Sequence, residues 1–339
     1  MRKFFVLALV VVFALTAVSM VAAQDDLGSE ENPIQVYFVP SVEAQVIVEG
    51  GEVMADALNE ATGLNFEVFV PTSYAAAIEA MCAAPASSMG FIPAAGYVIA
   101  NNRCGVEVEL AAVRRGWQVY WTQYVVRRDS DIQVFGDLEG RTWAYPDAGS
   151  TSGFVLPSVE LADAGITAGE QVEAGGHTQA ILAVLNGEAD FATTYFSPPA
   201  MVGAPWNIGD SPEPYDLNID ESYVGEDGEL YVGDIMILDA RRNVRETAPD
   251  VIDQLKILRL SAPIPNDTMS FSPDFPEELR AQVTQAIVDF SQTEAWNESI
   301  GDEDFYGWTS VVSIDDSTYD IIRLAFELGG LSEEDVFGD

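Results

Sequence analysis

Short apolar runs alternate along the chain with segments of helical periodicity, a pattern that is typical of an α/β protein. The predicted strands are Ile34–Val39, Phe66–Val70, Met89–Ile92, Val106–Val113, Gln118–Val126, Thr142–Tyr145, Ala189–Thr193 and Ile235–Asp239. The predicted helices are Val46–Thr62, Tyr74–Cys82, Ala94–Asn101, Phe154–Ala164, Thr178–Asn186, Pro249–Leu258, Glu277–Thr293 and Tyr319–Leu328. Between Ser197 and Val232, prolines lie among glycines and acidic residues, which predicts a loop with room for a small hairpin.

Length and charge narrow the possible functions. A chain of 339 residues is longer than one hydrophobic core usually organises, so two lobes are expected. Fifteen basic residues against 55 acidic ones give a formal charge of −40. A polyanion of this strength repels nucleic acids and anionic lipids. One histidine and two cysteines leave little for a metal site or a His-dependent catalytic triad.

The N-terminus predicts export. Arg2 and Lys3 precede an apolar run, and Val21, Ala22 and Ala23 form the small-residue pattern of a signal-peptidase site. We expect residues 1–23 to be a cleaved signal peptide, with an uncleaved membrane anchor as the alternative. Cleavage removes two basic residues and no acid, so 13 basic residues face 55 acidic ones and the formal charge becomes −42. The mature protein is therefore expected in the periplasm or outside the cell.

The two cysteines are a candidate disulfide. Cys82 and Cys104 are the only pair, and an oxidising compartment would allow them to bridge. Two separate buried thiols are the alternative.

A run of small hydroxyl residues marks the strongest candidate site. Ser150, Thr151 and Ser152 lie between Gly149 and Gly153, after a predicted strand and at the start of a predicted helix. Free backbone N–H groups and a partial positive charge make a helix N-terminus an anion site without any lysine or arginine. The alternative is an ordinary N-cap followed by a solvated turn.

Further candidates lie at other junctions. His177 follows two glycines at a second predicted helix start, where it either donates to an anion or only caps the helix. The predicted strand 118–126 carries aromatic residues on both faces, so some of them, Tyr120 among them, should line a cleft rather than a core. Tyr74 follows another strand–helix junction, and Asp267 lies in a proline-rigid turn.

Together these segments resemble the phosphonate-binding proteins of ABC importers, within the broader phosphate, phosphite and phosphonate substrate-binding family. The resemblance covers about residues 34–326 through local motifs, and Ser-Thr-Ser-Gly-Phe followed by Pro157 is its most specific part. It implies that Ser150, Thr151 and Ser152 grip the anion oxygens and that His177 is a further donor.

The same resemblance implies roles for three other residues. Tyr120, followed by Trp121, is similar to the family's Tyr-Trp strand, and Tyr74 is similar to a cleft tyrosine. Asp267, in Ile-Pro-Asn-Asp, resembles the family's Ile-Pro-Gly-Asp turn.

Two features depart from the family pattern. Members that bind aminoalkylphosphonates have a carboxylate after the strand that corresponds to 190–193, whereas this chain has Thr194-Tyr195-Phe196-Ser197. An aminophosphonate ligand is therefore not expected. Residues 200–232 resemble an insertion that reshapes the rim of the cleft.

The implied fold is the two-lobed type II periplasmic-binding-protein architecture, in which each lobe is a sheet flanked by helices and the ligand binds between them. The chain passes between the lobes twice, which predicts one lobe from 33–126 and 263–339 and another from 127–262. Hinges are expected near Arg127 and Ala262.

The resulting hypothesis is an extracytoplasmic binding protein that captures phosphonate, phosphite or phosphate and delivers it to an ABC permease, with no cofactor and no metal. The same fold with a sulfonate, nitrate or organic acid is the alternative, followed by an extracellular phosphoesterase. An enzyme is disfavoured because the chain has no carboxylate/histidine metal cluster, no Gly-x-Ser-x-Gly motif and only His177 as a base.

Overall fold

The computed structural model describes residues 26–337, and the predicted signal peptide lies outside them. The strands are β1 Ile34–Phe38, β2 Phe66–Phe69, β3 Ser88–Ile92, β4 Glu107–Val113, β5 Val119–Arg127, β6 Trp143–Tyr145, β7 Gln171–Glu173, β8 Phe191–Phe196, β9 Ser222–Val224, β10 Leu230–Val232, β11 Ile235–Met236, β12 Leu255–Leu260, β13 Ile264–Pro265, β14 Thr268–Phe271 and β15 Ser310–Ser313. The helices are α1 Ala44–Thr62, α2 Tyr74–Ala83, α3 Ala94–Cys104, α4 Leu156–Asp163, α5 His177–Leu185, α6 Val251–Gln254, α7 Glu277–Phe290, α8 Asp320–Gly329 and α9 Glu333–Phe337.

The first lobe is built on a six-stranded sheet in the order β15-β4-β14-β3-β1-β2. β1 runs parallel to β2 and β3, and β14 is antiparallel to β3 and β4. The inner strands are buried because helices cover both faces, as parallel pairing requires. On one face Phe38 stacks on Phe91 with ring centroids 4.7 Å apart, and α1 and α7 pack over them. α2, α3 and α8 cover the other face.

The second lobe is built on a sheet in the order β12-β5-β8-β6-β7. β5 is antiparallel to β8 and β12, whereas β6 is parallel to β7 and β8. Trp143 stacks between Phe154 and Phe191 with centroid distances of 5.4 and 6.1 Å. This stack holds the segment that leads into α4 against the sheet.

The pairing of β5 bears on where the chain crosses between the lobes. The strand that was expected to end the first lobe, β5, pairs with β8 and β12 of the second sheet, and its first residues also pair with β13. The two-residue turn at Arg115 and Gly116, both with positive φ, precedes it. We therefore propose that the first crossing lies at this turn rather than near Arg127, and that the return crossing lies between β12 and β14.

Most predicted elements are present, and the clearest error is the helix expected over Pro249–Leu258. Only the single turn α6 is helical there, and the chain continues as β12 along the edge of the second sheet. The apolar run in this segment fits the hydrophobic period of a helix and that of a strand, and pairing with β5 favours the strand. The predicted helix at Phe154 begins earlier, with a π-helical turn over Thr151–Val155. The strand expected over Ile235–Asp239 is reduced to the two residues of β11, and β7, β13, β14 and β15 were not predicted.

The segment from 200 to 232 contains the expected hairpin, formed by β9 and β10, and β11 extends it to three strands. Trp206 anchors this segment: it is 3% exposed and packs edge-on against Trp117 and Trp121, with centroids 5.8 and 5.3 Å away. Through Trp206 and the buried side chains of β10, the segment is attached to the second lobe's core.

The cysteine prediction is confirmed. Cys82 and Cys104 form a disulfide with their Cα atoms 5.6 Å apart, joining the C-terminal ends of α2 and α3. Within residues 26–337, no helix has the length and apolar character needed to cross a membrane.

Candidate functional site

The Ser-Thr-Ser segment forms a tight helix start in the second lobe. Ser150 caps it, because its side-chain oxygen accepts from Gly153 N at 3.1 Å and its carbonyl accepts from Phe154 N at 2.9 Å. Two threonines of the sheet hold the turn: Thr122 Oγ1 donates to Ser152 O at 2.8 Å, and Thr193 Oγ1 donates to Gly153 O. The capping bonds use the backbone N–H groups of Gly153 and Phe154. The N–H groups of Thr151 and Ser152 come before these in the chain, and at a helix start we expect such groups to be free donors.

The three hydroxyl residues do not occupy equivalent positions. Ser150 and Ser152 line a cleft between the lobes, and both are 2% exposed. Thr151 is fully buried beside the cleft, where its Oγ1 accepts a 2.8 Å hydrogen bond from Ala95 N. Since Ala95 belongs to α3 of the first lobe, the Thr151 side chain joins the two lobes at the candidate anion site.

Both predicted tyrosines line the same cleft. Tyr120, near the start of β5, interacts through its hydroxyl with Ser152 and Thr151, and burial raises its pKa. Tyr74, the first residue of α2, is buried, and its backbone N–H donates to Asp147 of the second lobe at 3.3 Å. Burial, followed by the charge of Asp147, raises the pKa of Tyr74 well above its usual value. Both phenols are therefore neutral donors at physiological pH.

His177 is the first residue of α5 and also lines the cleft. Its ring packs edge-on against Tyr195 with centroids 5.0 Å apart, and its Nδ1 is buried without a hydrogen-bond partner in the described structure. Burial lowers the pKa of His177 to about 3. The imidazole is thus neutral near pH 7, and it offers an uncharged N–H rather than a cation.

This burial gives a testable pH dependence. The unfolded imidazole titrates near 6.5 and the folded one near 3, so the unfolded chain binds more protons between these values. The stabilisation that the neutral, buried imidazole gives the folded state is complete above pH 6.5 and is lost as the pH falls towards 3. Between pH 7 and pH 5 we expect the wild type to lose about 2 kcal/mol more unfolding free energy than His177→Gln. Urea unfolding at both pH values measures this difference, and NMR titration of the single imidazole measures the pKa directly. A folded-state pKa near 6 would contradict the prediction.

Asp267 lies across the cleft, and the structure supplies a partner that the sequence did not indicate. Arg114 Nη2 donates to Asp267 Oδ2 at 2.6 Å, Nη1 donates to Asn266 Oδ1 at 3.1 Å, and Nε donates to Tyr306 O at 3.0 Å. This charge-assisted network fixes the carboxylate and its turn. The charge of Asp267 is therefore already paired within the protein.

Several lining residues were missed by sequence reasoning. They are Ser41, Arg114, Arg115, Tyr195, Arg242, Glu303 and Tyr306. The available signal was the pairing of scarce basic residues. Arg114-Arg115, Arg127-Arg128 and Arg241-Arg242 are doublets in a chain with only 15 basic residues, and two of these three doublets contribute to the cleft. Of the seven predicted residues, the cleft is lined by Tyr74, Tyr120, Ser150, Ser152, His177 and Asp267, whereas Thr151 is adjacent.

The cleft has a volume of about 90 Å³, several times the space that one water molecule requires, so its size suits a small molecule. Three arginines and two carboxylates are the charged groups among its lining residues, a formal excess of one positive charge. The lining itself therefore does not carry the strong negative charge of the whole chain. At a Debye length of about 8 Å the distant surface acids are largely screened.

Two α/β lobes with a small cleft between them are the architecture of the type II periplasmic-binding-protein fold. The family described as "ABC transporter, phosphonate, periplasmic substrate-binding protein" matches residues 36–319, and the chain belongs to this family. The family resemblance noted in the sequence and the predicted fold class are confirmed.

Individual relatives agree with this assignment. The chain is 31% identical over 147 residues to the phosphate-import protein PhnD of Mycolicibacterium smegmatis, a match that covers 39% of this chain and 46% of the relative, less than half of its length. The binding component of a Pseudomonas aeruginosa ABC phosphonate transporter superposes with a TM-score of 0.67 at 18% identity, covering 88% of this chain and 87% of that one. PhnD1 of Prochlorococcus marinus, in complex with methylphosphonate, gives 0.64 at 12% identity, covering 87% and 97%.

Proposed function

We propose that this chain is the extracytoplasmic substrate-binding component of an ABC importer and that it captures a small phosphorus oxyanion between its lobes. The observation that carries the proposal is the convergence of the Ser150–Ser152 helix start with Tyr120 and His177 on one buried cleft. Every one of these groups is an uncharged donor, and the short-range strength of such donors in a dry cleft favours a bound oxyanion. Family membership supports transport rather than catalysis as the role.

The ligand is proposed to lack an amino group. In the stretch 194–197, where relatives that bind aminoalkylphosphonates have a carboxylate, Tyr195 and Ser197 line the cleft. The two carboxylates that do line it are each held by an arginine, Asp267 by Arg114 at 2.6 Å and Glu303 by Arg115 at 2.7 Å. A ligand ammonium group would therefore lose water without gaining a free carboxylate.

A thermal-shift screen of the mature chain tests the ligand class, using phosphate, phosphite, methylphosphonate, 2-aminoethylphosphonate, sulfate, nitrate and taurine. A ligand at a hundred times its Kd stabilises the folded state by about 2.7 kcal/mol. We expect a response to at least one phosphorus oxyanion and none to 2-aminoethylphosphonate. A response to taurine or nitrate alone would contradict the proposed ligand class, and turnover of a chromogenic phosphate ester would contradict a purely binding role.

Ser152→Ala tests the assignment of the hydroxyl donors. Loss of one hydrogen bond to a charged oxygen costs about 1.5–3 kcal/mol, so Kd for the responding anion should rise roughly ten- to a hundredfold in isothermal titration calorimetry. Ser158→Ala is the matched control, because Ser158 lies in α4 and is not among the cleft-lining residues. Equal affinities for the Ser152 variant and the wild type would remove Ser152 from the site.

A further inference from the structure

Arg242 is a buried cation in the wall of the cleft that no recognised motif contains. It belongs to the short 3₁₀ helix Ala240–Val244 of the second lobe and is 1% exposed. The neighbouring Arg241 is buried too, but its Nε and Nη2 both donate to Asp239, at 2.9 and 3.0 Å, and it does not line the cleft. The two arginines of this doublet therefore differ in role.

The terminal nitrogens of Arg242 connect three parts of the molecule. Nη1 donates to the backbone oxygen of Glu303 in the first lobe at 2.6 Å. Nη2 donates to Glu229 Oε2 at 2.5 Å, and it lies 3.3 Å from Asp304 Oδ1 in the first lobe. Glu229 belongs to the turn between β9 and β10, so the inserted hairpin holds this arginine in place.

Arg242 Nε is the remaining donor, and it is buried without a hydrogen-bond partner in the described structure. An unsatisfied buried N–H is unfavourable, and in native proteins such groups are normally paired. His177 Nδ1 is a second unpaired atom among the side chains that line the same cleft. Tyr195 connects the two, since its ring contacts His177 and its hydroxyl interacts electrostatically with Arg242.

Charge pairing separates Arg242 from the other arginines of the cleft. Arg114 and Arg115 are paired with carboxylates that themselves line the cleft. The carboxylates of Arg242, on Glu229 and Asp304, are not among the lining residues. Among the arginines that line the cleft, Arg242 is therefore the one whose paired carboxylates lie outside the lining.

We propose that Arg242 is a further ligand-binding residue, whose Nε–H donates to an oxygen of the bound anion while its Nη groups hold the first lobe. Glu229 of the inserted hairpin is the positioning residue for this guanidinium. The inference rests on the proposed function and deepens it. It adds a positively charged donor to the neutral Ser-Thr-Ser donors that are proposed to hold the anion. It also gives the insertion a role in ligand capture.

Arg242→Lys is the decisive variant, since lysine keeps the charge but has neither the Nε–H nor the planar fork of arginine. Arg245→Lys is the matched control: Arg245 Nη2 donates to Asp304 Oδ2 at 2.9 Å across the lobes, but Arg245 does not line the cleft. Calorimetry with inorganic phosphate and methylphosphonate should show Kd raised at least about tenfold by Arg242→Lys and less than about threefold by Arg245→Lys. Equal effects of the two variants would reduce Arg242 to a contact between the lobes and overturn the inference.

Two measurements keep the inference testable if the lysine variant folds poorly. Glu229→Gln should raise Kd several-fold, because a neutral amide holds the guanidinium less firmly than a carboxylate does. An unchanged Kd would show that Glu229 does not position Arg242 for binding. In the wild type, the ¹⁵N-resolved Nε–H resonance of Arg242 should move downfield on addition of the anion. No movement on saturation would overturn the direct contact. A wild type that binds none of phosphate, phosphite and methylphosphonate contradicts the proposed function instead.

Discussion

Gly153→Ala is expected to weaken anion binding by roughly two orders of magnitude. A Cβ atom at this position would lie 2.3 Å from Pro146 Cγ and 2.4 Å from Pro146 Cδ, and a proline ring cannot rotate away. The helix start must then shift, and the amide and hydroxyl donors of Ser152 shift with it. Two charge-assisted hydrogen bonds weakened together correspond to about 3 kcal/mol, or a hundredfold in Kd. Calorimetry with the anion identified by the screen measures this loss.

Gly136→Ala is the control for this substitution. Gly136 lies in the same lobe, its φ is not positive, and a Cβ atom there would meet nothing within 4 Å. We expect its Kd to equal that of the wild type. If Gly153→Ala also bound with unchanged affinity, the close packing of Pro146 against the helix start would have no part in the binding site.

Replacing both Cys82 and Cys104 by alanine is expected to lower the free energy of unfolding by about 3 kcal/mol. The two residues are separated by 22 positions, and the entropy of closing a loop of that length gives this figure. Urea unfolding at pH 7 measures the change, and wild type under reducing conditions should give the same curve. A loss below about 1 kcal/mol would show that the unfolded chain is not appreciably constrained by the bridge.

The double substitution should affect binding much less than stability. The disulfide joins the C-terminal ends of α2 and α3, whereas Tyr74 and Ala95 lie at the opposite ends, near the cleft. We expect Kd to change less than about threefold, which corresponds to less than about 0.7 kcal/mol of binding free energy. A larger change would mean that the bridge also sets the position of the first lobe's side of the site.

The sequence was informative where a local signal was sufficient. The strands β1 to β4 of the first lobe carry short apolar-rich runs, and the hydroxyl-rich helix start is specified by five adjacent residues, so both were predicted, whereas β14 and β15 of the same sheet were not. The hydrophobic period could not distinguish a helix from an edge strand at 249–258, because the deciding interaction is the pairing of β12 with β5. The same limit applies to β5, whose sequence predicts a strand but does not indicate the sheet to which it belongs.

The rest of the candidate site depends on contacts that are distant in sequence. Arg114 reaches Asp267 across 153 positions, and Arg242 reaches Glu303 across 61. No spacing or motif encodes these approaches: the first arises where β4 pairs with β14, and the second arises where the two lobes come together. The hydroxyl donors were therefore predictable, whereas the cationic groups beside them were not.

The bond from Ala95 N to Thr151 Oγ1 has a consequence for how fast a ligand is exchanged. It links α3 directly to the helix start that we propose to hold the anion, and Tyr74 N to Asp147 Oδ2 is a second link between the same two walls. We expect a ligand bound between the lobes to leave when the lobes separate, and these links break in that step. The residence time of the ligand is then limited by the rate at which the two lobes separate. Two proteins with equal affinity for the anion would therefore differ in residence time if the hydrogen bonds between their lobes differ in strength.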